Sequence, residues 1–128
     1  MNTVKKTILI VDDEEIVVDT LKGFLDLLGH KVDSAENGEA ALTALAEVAY
    51  DFAFVDLNLP GIDGFELLKQ ISESWPRVRV CIITGYLDES QLARAKGLGA
   101  IGALSKPFRF SEIEPFLDDT QTPGNPQL

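Results

Sequence analysis

Three stretches of this chain are apolar without a break: Ile8-Leu9-Ile10-Val11, Phe52-Ala53-Phe54-Val55 and Val80-Cys81-Ile82-Ile83. A strand with one face in water alternates apolar and polar residues. Unbroken runs of four instead suit strands covered on both faces, as in a parallel sheet. With their flanks they give β-rich segments at 7–12, 51–56 and 78–84, and two weaker ones follow at 31–35 and 101–105.

Helical patterns fill the intervals. Ile16, Val17, Thr20, Leu21, Phe24, Leu25 and Leu28 follow a 3.6-residue spacing, and Gly29 stands where a helix-ending glycine belongs. Residues 36–49 are rich in alanine and leucine, which favour helix. The stretch from Gly64 to Ile71 is amphipathic and stops before Trp75-Pro76. Asp88 is placed to cap a helix over Ser90–Leu98 that Gly97 and Gly99 end, and Ser111 opens a last short one. Five β-α units in succession predict a doubly wound (βα)5 sandwich: a five-stranded parallel sheet in the order 2-1-3-4-5 with helices on both faces. One domain over residues 1–118 accounts for it. Residues 119–128, with three breakers in TQTPGNPQL, read as a flexible tail or the start of a linker.

Charge and cysteine content exclude several functions. A net charge of −10 leaves no basic face for nucleic acid or an anionic membrane. No apolar run approaches the ~18 residues of a membrane span, and the N-terminal run is too short and too acidic at its end for a signal peptide. The single cysteine, Cys81, lies in an apolar run and reads as a small buried hydrophobe. A chain without disulfides suits a reducing, cytoplasmic setting.

In a doubly wound sheet, ligands sit at the carboxyl ends of the strands where strand order reverses, here between strands 1 and 3. Those two strands end in Asp12-Asp13 and in Asp56. Three carboxylates gathered there repel one another, and a hard divalent cation removes that cost. Mg²⁺ prefers oxygen ligands and takes one or two carboxylates plus a phosphate oxygen. Strand 4 ends in Thr84, a small hydroxyl donor, and strand 5 is followed by Lys106, a compact cation suited to a phosphoryl oxygen. Asp56 is then placed to act as a nucleophile toward phosphorus. The adjacent Glu14 and Glu15 read as helix N-terminal acids.

The set VDD (11–13), VDLNLPGIDG (55–64), ITG (83–85) and SKPF (105–108) resembles the response-regulator receiver domain of two-component signalling over about residues 5–118. The resemblance implies that Asp56 accepts a phosphoryl group from a histidine kinase or histidine phosphotransfer protein. It implies Mg²⁺ held by Asp13, Asp56 and the backbone carbonyl of Asn58, with Asp12 acting through a metal-bound water. Thr84 and Lys106 contact the phosphoryl group, and the Lys106-Pro107 peptide is cis. Pro60, Gly61 and Gly64 shape the loop after strand 3. The implied role is a signalling switch that acts on an output domain or partner, not an enzyme with turnover, and the chain reads as the receiver portion of a longer regulator. A phosphohydrolase lacks support, because no second aspartate stands two residues after Asp56. A phosphorylation-independent interaction module is the alternative.

Two positions depart from that pattern. Ala103 stands where many receivers carry an aromatic residue, and Tyr86, two residues after Thr84, is a candidate substitute or a shield for the site. Pro115 falls inside the last helix, directly after the capping-box pattern Ser111–Glu114, and predicts a helix that is short, kinked or starts later than usual. His30 is expected to be exposed and without a partner. Phe52, Phe54, Phe65 and Phe108 are expected in the core, Trp75 as packing at a helix end, and Asp51 and Asp63 as solvated loop carboxylates.

Overall fold

The computed structural model describes residues 5–117. The expected tail at 119–128 lies outside them. Five strands and five helices alternate: β1 (Thr7–Val11), α1 (Glu15–Leu27), β2 (Lys31–Ala35), α2 (Gly38–Glu47), β3 (Phe52–Asp56), α3 (Gly64–Ser74), β4 (Arg79–Thr84), α4 (Glu89–Gly97), β5 (Gly102–Ser105) and α5 (Phe110–Leu117). All pairings are parallel, in the order β2-β1-β3-β4-β5. This is the predicted doubly wound fold. Among the described residues no helix is long and apolar enough to cross a membrane.

The unbroken apolar runs behave as their composition requires. Side chains alternate faces along a strand, so each run feeds two cores. Ile8, Ile10, Phe52, Phe54, Cys81, Ile83 and Leu104 face α1 and α5, where Leu21, Leu25, Ile113 and Leu117 meet them. Leu9, Val11, Ala53, Val55, Val80 and Ile82 face α2, α3 and α4, meeting Ala41, Leu45, Leu67, Leu68, Ile71 and Ala95. The larger side chains of this set are fully buried, each contributing on the order of 1.5–3 kcal/mol relative to exposure. Cys81 is among them, and burial pushes its thiol well above the ordinary range, so it is inert packing.

Three helices start on side-chain caps: Asn37, Asp63 and Asp88 each accept a hydrogen bond from the backbone N–H three residues on, at 2.8–2.9 Å. Asp63 is therefore a cap rather than a free loop carboxylate. Asp51 also has a structural bond, accepting from the Thr7 backbone N–H at 2.8 Å. α1 ends at Gly29 in a left-handed conformation (φ +90°), as predicted. It has no basic residue in its last turn. Lys5 supplies the missing cation from the chain's other side, donating to the Leu28 carbonyl at 2.8 Å.

Three expectations are corrected here. His30 is buried, 5% exposed, not in solvent. Its Nδ1 accepts from the Lys6 backbone N–H at 3.0 Å, because the turn after Gly29 folds the ring against the start of β1, while Nε2 has no partner among the described residues. The α5 capping box sits two residues earlier than its sequence pattern: Glu112 Oε1 accepts from the Arg109 N–H at 2.6 Å, and the Glu112 N–H returns to the Arg109 carbonyl at 2.9 Å. The helix then starts at Phe110 rather than Ser111 and runs through Pro115. Phe65 and Phe108 are half-buried rather than core. Phe65 lies under the Arg94 guanidinium, 4.0 Å from its ring centroid, and Phe108 packs against the α1–α5 side. Trp75 is half-buried at the end of α3, as expected.

Candidate functional site

The site forms where β1, β3 and β5 end on one edge of the sheet. Asp12 follows β1 and stays in the ladder, its N–H bonded to the Ala35 carbonyl at 3.1 Å. Asp56 is the last residue of β3, and Lys106 follows β5 with its N–H on the Thr84 carbonyl at 2.7 Å. By alternation these three residues share the parity of Ile8/Ile10, Phe52/Phe54 and Leu104, so the side that packs α1 and α5 also assembles the carboxylates and the lysine.

Lys106 Nζ lies 3.0 Å from Asp12 Oδ2, 3.0 Å from Asp56 Oδ2 and 2.6 Å from Glu14 Oε1. Asp12 and Asp56 are buried, at 2% and 3% exposure. Burial raises the Asp12 carboxyl above the ordinary carboxylate range. The Glu14 N–H and Lys106 pull it down, and the Asp56 charge pushes it up further. Burial alone would lower the Lys106 ammonium, but the carboxylates of Glu14, Asp12 and Asp56 around it more than offset this and hold it above its ordinary value. The lysine is thus the permanent counter-charge of the cluster.

Backbone geometry fixes both carboxylates. Asp12 Oδ1 accepts from the Glu14 N–H at 2.8 Å, and Asp56 Oδ1 accepts from the Asn58 N–H at 3.0 Å. Each is an Asx-type turn that takes up one oxygen and leaves the other for the site. The loop after β3 is held by Gly61 at φ +78° and by Gly64, whose N–H bonds the Leu57 carbonyl at 3.0 Å. The Lys106-Pro107 peptide is cis, as the resemblance implied.

The structure brings together most of the residues named from sequence. Carboxylate oxygens of Asp12, Asp13 and Asp56 lie within 4.8 Å of one another. Asp13, Glu14, Asp56, Asn58, Gly85 and Lys106 line one open cleft of about 500 Å³. Thr84 is set apart. It has the opposite parity on β4, is 1% exposed, and its hydroxyl donates to the Tyr86 carbonyl at 3.1 Å. Tyr86 itself is 72% exposed. Glu14 was read from sequence as a helix-start acid. It occupies the N-cap position of α1 but makes no side-chain cap bond, and its carboxylate goes to Lys106 instead. The signal for this was present in the sequence: a fourth carboxylate beside a lysine already assigned to the same strand ends.

The all-oxygen donor set fits a hard divalent cation. Asp12 Oδ2 is buried and accepts no aligned hydrogen bond, its 3.0 Å approach to Lys106 being that of an ion pair only. A buried carboxylate oxygen with unused acceptor capacity beside an exposed Asp13 is what Mg²⁺ or one of its waters would satisfy.

Comparison with known proteins gives a consistent result. The family model described as the response regulator receiver domain matches residues 8–118. The chain is 35% identical over 103 residues to the response regulator GtcR of Aneurinibacillus migulanus, covering 80% of this chain but only 42% of that protein. It is 34% identical over 106 residues to sporulation initiation phosphotransferase F of Bacillus subtilis, covering 83% of this chain and 86% of that one. Among solved structures, a response regulator protein from Burkholderia pseudomallei superposes with a TM-score of 0.84 at 29% identity, over 91% of this chain and 69% of the other. That structure holds a phosphorylated aspartic acid, a calcium ion and citrate.

Proposed function

The chain belongs to the response-regulator receiver domain family, and from that premise we propose that Asp56 is its phospho-acceptor, that Asp13, Asp56 and the backbone carbonyl of Asn58 would hold Mg²⁺ with Asp12 acting through a metal-bound water, and that Lys106 and Thr84 contact the phosphoryl group. The observation that carries this reading is the Lys106 ammonium 3.0 Å from the Oδ2 of a buried Asp56, beside two further carboxylates. The donor is a phosphohistidine of a histidine kinase or histidine phosphotransfer protein. A carboxylate oxygen of Asp56 forms the new O–P bond as the N–P bond breaks, and the imidazole leaves with that electron pair. Mg²⁺, when bound, supplies charge neutralisation at the phosphoryl oxygens.

The chain's own residues do the rest. The Asn58 N–H keeps the Asp56 carboxylate in one orientation. Lys106 is already charged and lies at the acceptor, 3.0 Å from Asp56 Oδ2, so its positive charge is in place as charge develops. Thr84 must leave the Tyr86 carbonyl to reach the phosphoryl group, and that exchange would move the segment after β4. Ala103 offers no aromatic ring to follow it, so the readout passes through the Thr84–Tyr86 backbone rather than through a side-chain rotation on β5. The role is a cytoplasmic switch acting on an output domain or partner protein, with residues 1–118 as the receiver unit. It does not bind nucleic acid or membrane directly.

Intact-protein mass after incubation with an acyl phosphate and Mg²⁺ tests this. The wild type should gain one base-labile phosphoryl group and Asp56→Asn none. Equal gain in both, or none in either, would sink the assignment.

A further inference from the structure

We propose that Glu14 is an electrostatic gate on Lys106: it holds the ammonium in the resting protein and surrenders it to the incoming phosphoryl group, so that its charge restrains phosphoryl acceptance. This rests on the acceptor role of Asp56 given above.

An ammonium has three N–H donors, and here three carboxylates already surround it. The Glu14 contact is the shortest, 2.6 Å against 3.0 Å for Asp12 and Asp56. Nζ hydrogen-bonds Glu14 and Asp56 and pairs with Asp12 by charge alone, so an incoming phosphoryl oxygen competes with all three for the ammonium, and the contact that loosens at least cost gives way. The Asp12 side chain is fully buried, and its Oδ2 has no hydrogen bond to replace the lysine. Asp56 is the attachment point. The Glu14 side chain is 59% exposed, so water can take the place of the ammonium at small cost. Glu14 is therefore the ligand that exchanges.

Its placement is deliberate in physical terms. α2, α3 and α4 spend their N-cap side chains on their own backbone, whereas Glu14 makes no such bond. Its backbone N–H is pinned by Asp12 Oδ1 at 2.8 Å, which aims the side chain across the strand ends at Lys106. Glu14 also lines the cleft with Asp13, Asp56, Asn58 and Lys106, so an arriving phosphoryl dianion meets its negative charge. Glu14 does not touch the reacting atoms; it positions the lysine that does.

The test compares wild type with Glu14→Gln in two assays: the rate of phosphorylation by an acyl phosphate with Mg²⁺, and the affinity for beryllium fluoride with Mg²⁺, read from backbone amide shifts. Gln keeps the size of the side chain at an exposed helix start and removes the charge. The variant should accept phosphate faster and bind beryllium fluoride tighter, each by roughly two- to fivefold, the range that one exposed ion pair supports. The ratio should collapse toward one as salt rises to about 1 M, where the screening length is ~3 Å. A purely structural role would not respond to salt in this way. If the wild type takes up phosphate at Asp56 and Glu14→Gln is equal or slower, the gate is refuted while the acceptor role stands. A gain that persists unchanged at high salt also refutes it. If the wild type takes up no phosphate, both ideas fail together.

Discussion

Gly64 lies directly against the backbone of Asp56: a Cβ at position 64 would stand 2.5 Å from the Asp56 carbonyl oxygen and 2.5 Å from Leu57 Cα. Both contacts are with main chain, which has no flexible end to move aside. Gly64→Ala should therefore displace the loop that holds the acceptor carboxylate. We expect a loss of about 2–3 kcal/mol in urea unfolding and phosphoryl uptake slowed about tenfold or more, since the reacting group is misplaced. Unchanged stability would mean that the loop after β3 yields more easily than the contact suggests.

Mg²⁺ should stabilise the fold, because only the assembled strand ends present Asp12, Asp13 and Asp56 together. At about ten times its dissociation constant the gain is about 1.4 kcal/mol, or roughly 3–6 °C in melting temperature. Asp13→Asn should remove most of this shift, and calorimetry with and without Mg²⁺ reads both.

Lys106→Met removes the counter-charge from two buried carboxylates. At pH 7 without metal we expect it to cost about 2–3 kcal/mol. Burial already raises the Asp12 carboxyl, and without the lysine it rises further, so protonation relieves the strain. The deficit should shrink as pH falls from 7 to 5 and also shrink in Mg²⁺. A deficit independent of both would assign the loss to packing.

His30 ties stability to pH in a second way. Burial first, then Lys5 and Lys6, lower its protonation below the ordinary histidine value, and its Nδ1 must stay unprotonated to accept from the Lys6 N–H. The unfolded chain then binds the proton more readily. Its contribution to stability is fully present above about pH 6.5 and is lost as pH falls from there through the lowered folded value. Urea midpoints between pH 7.5 and 5.5 should fall more steeply for the wild type than for His30→Asn, whose amide oxygen can accept the same bond without titrating. Parallel slopes would remove His30 from the account.

What the sequence made legible follows from which signals are local. The apolar runs at 8–11, 52–55 and 80–83 gave strands because continuous burial has no other short-range explanation. Asp12, Asp56 and Lys106 could be gathered because a parallel sheet puts all strand ends on one edge. His30 was misjudged because its burial depends on how the turn after Gly29 meets Lys6, 24 residues earlier in the chain. Glu14 was misjudged because helix-start acids have a sufficient local use, which hid the one signal available, that it adjoins strand ends to which a lysine 92 residues away had already been assigned. The α5 box slipped because Ser111–Glu114 matches the capping pattern as well as the Arg109–Glu112 pair that forms, and Pro115 hides which turn is the first.

The shared parity of the site and the α1-facing core has a consequence for how this chain can vary. Asp12 and Asp56 are read out in the same frame as Ile8, Ile10, Phe52 and Phe54, as letters are in a code of period two. Deleting one residue within β1 or β3 would shift that frame, sending side chains sized for the α1–α5 core into the core under α2, α3 and α4, or turning the carboxylate away from the lysine. A length change in these two strands therefore disturbs packing and chemistry together, whereas one in a loop need disturb neither.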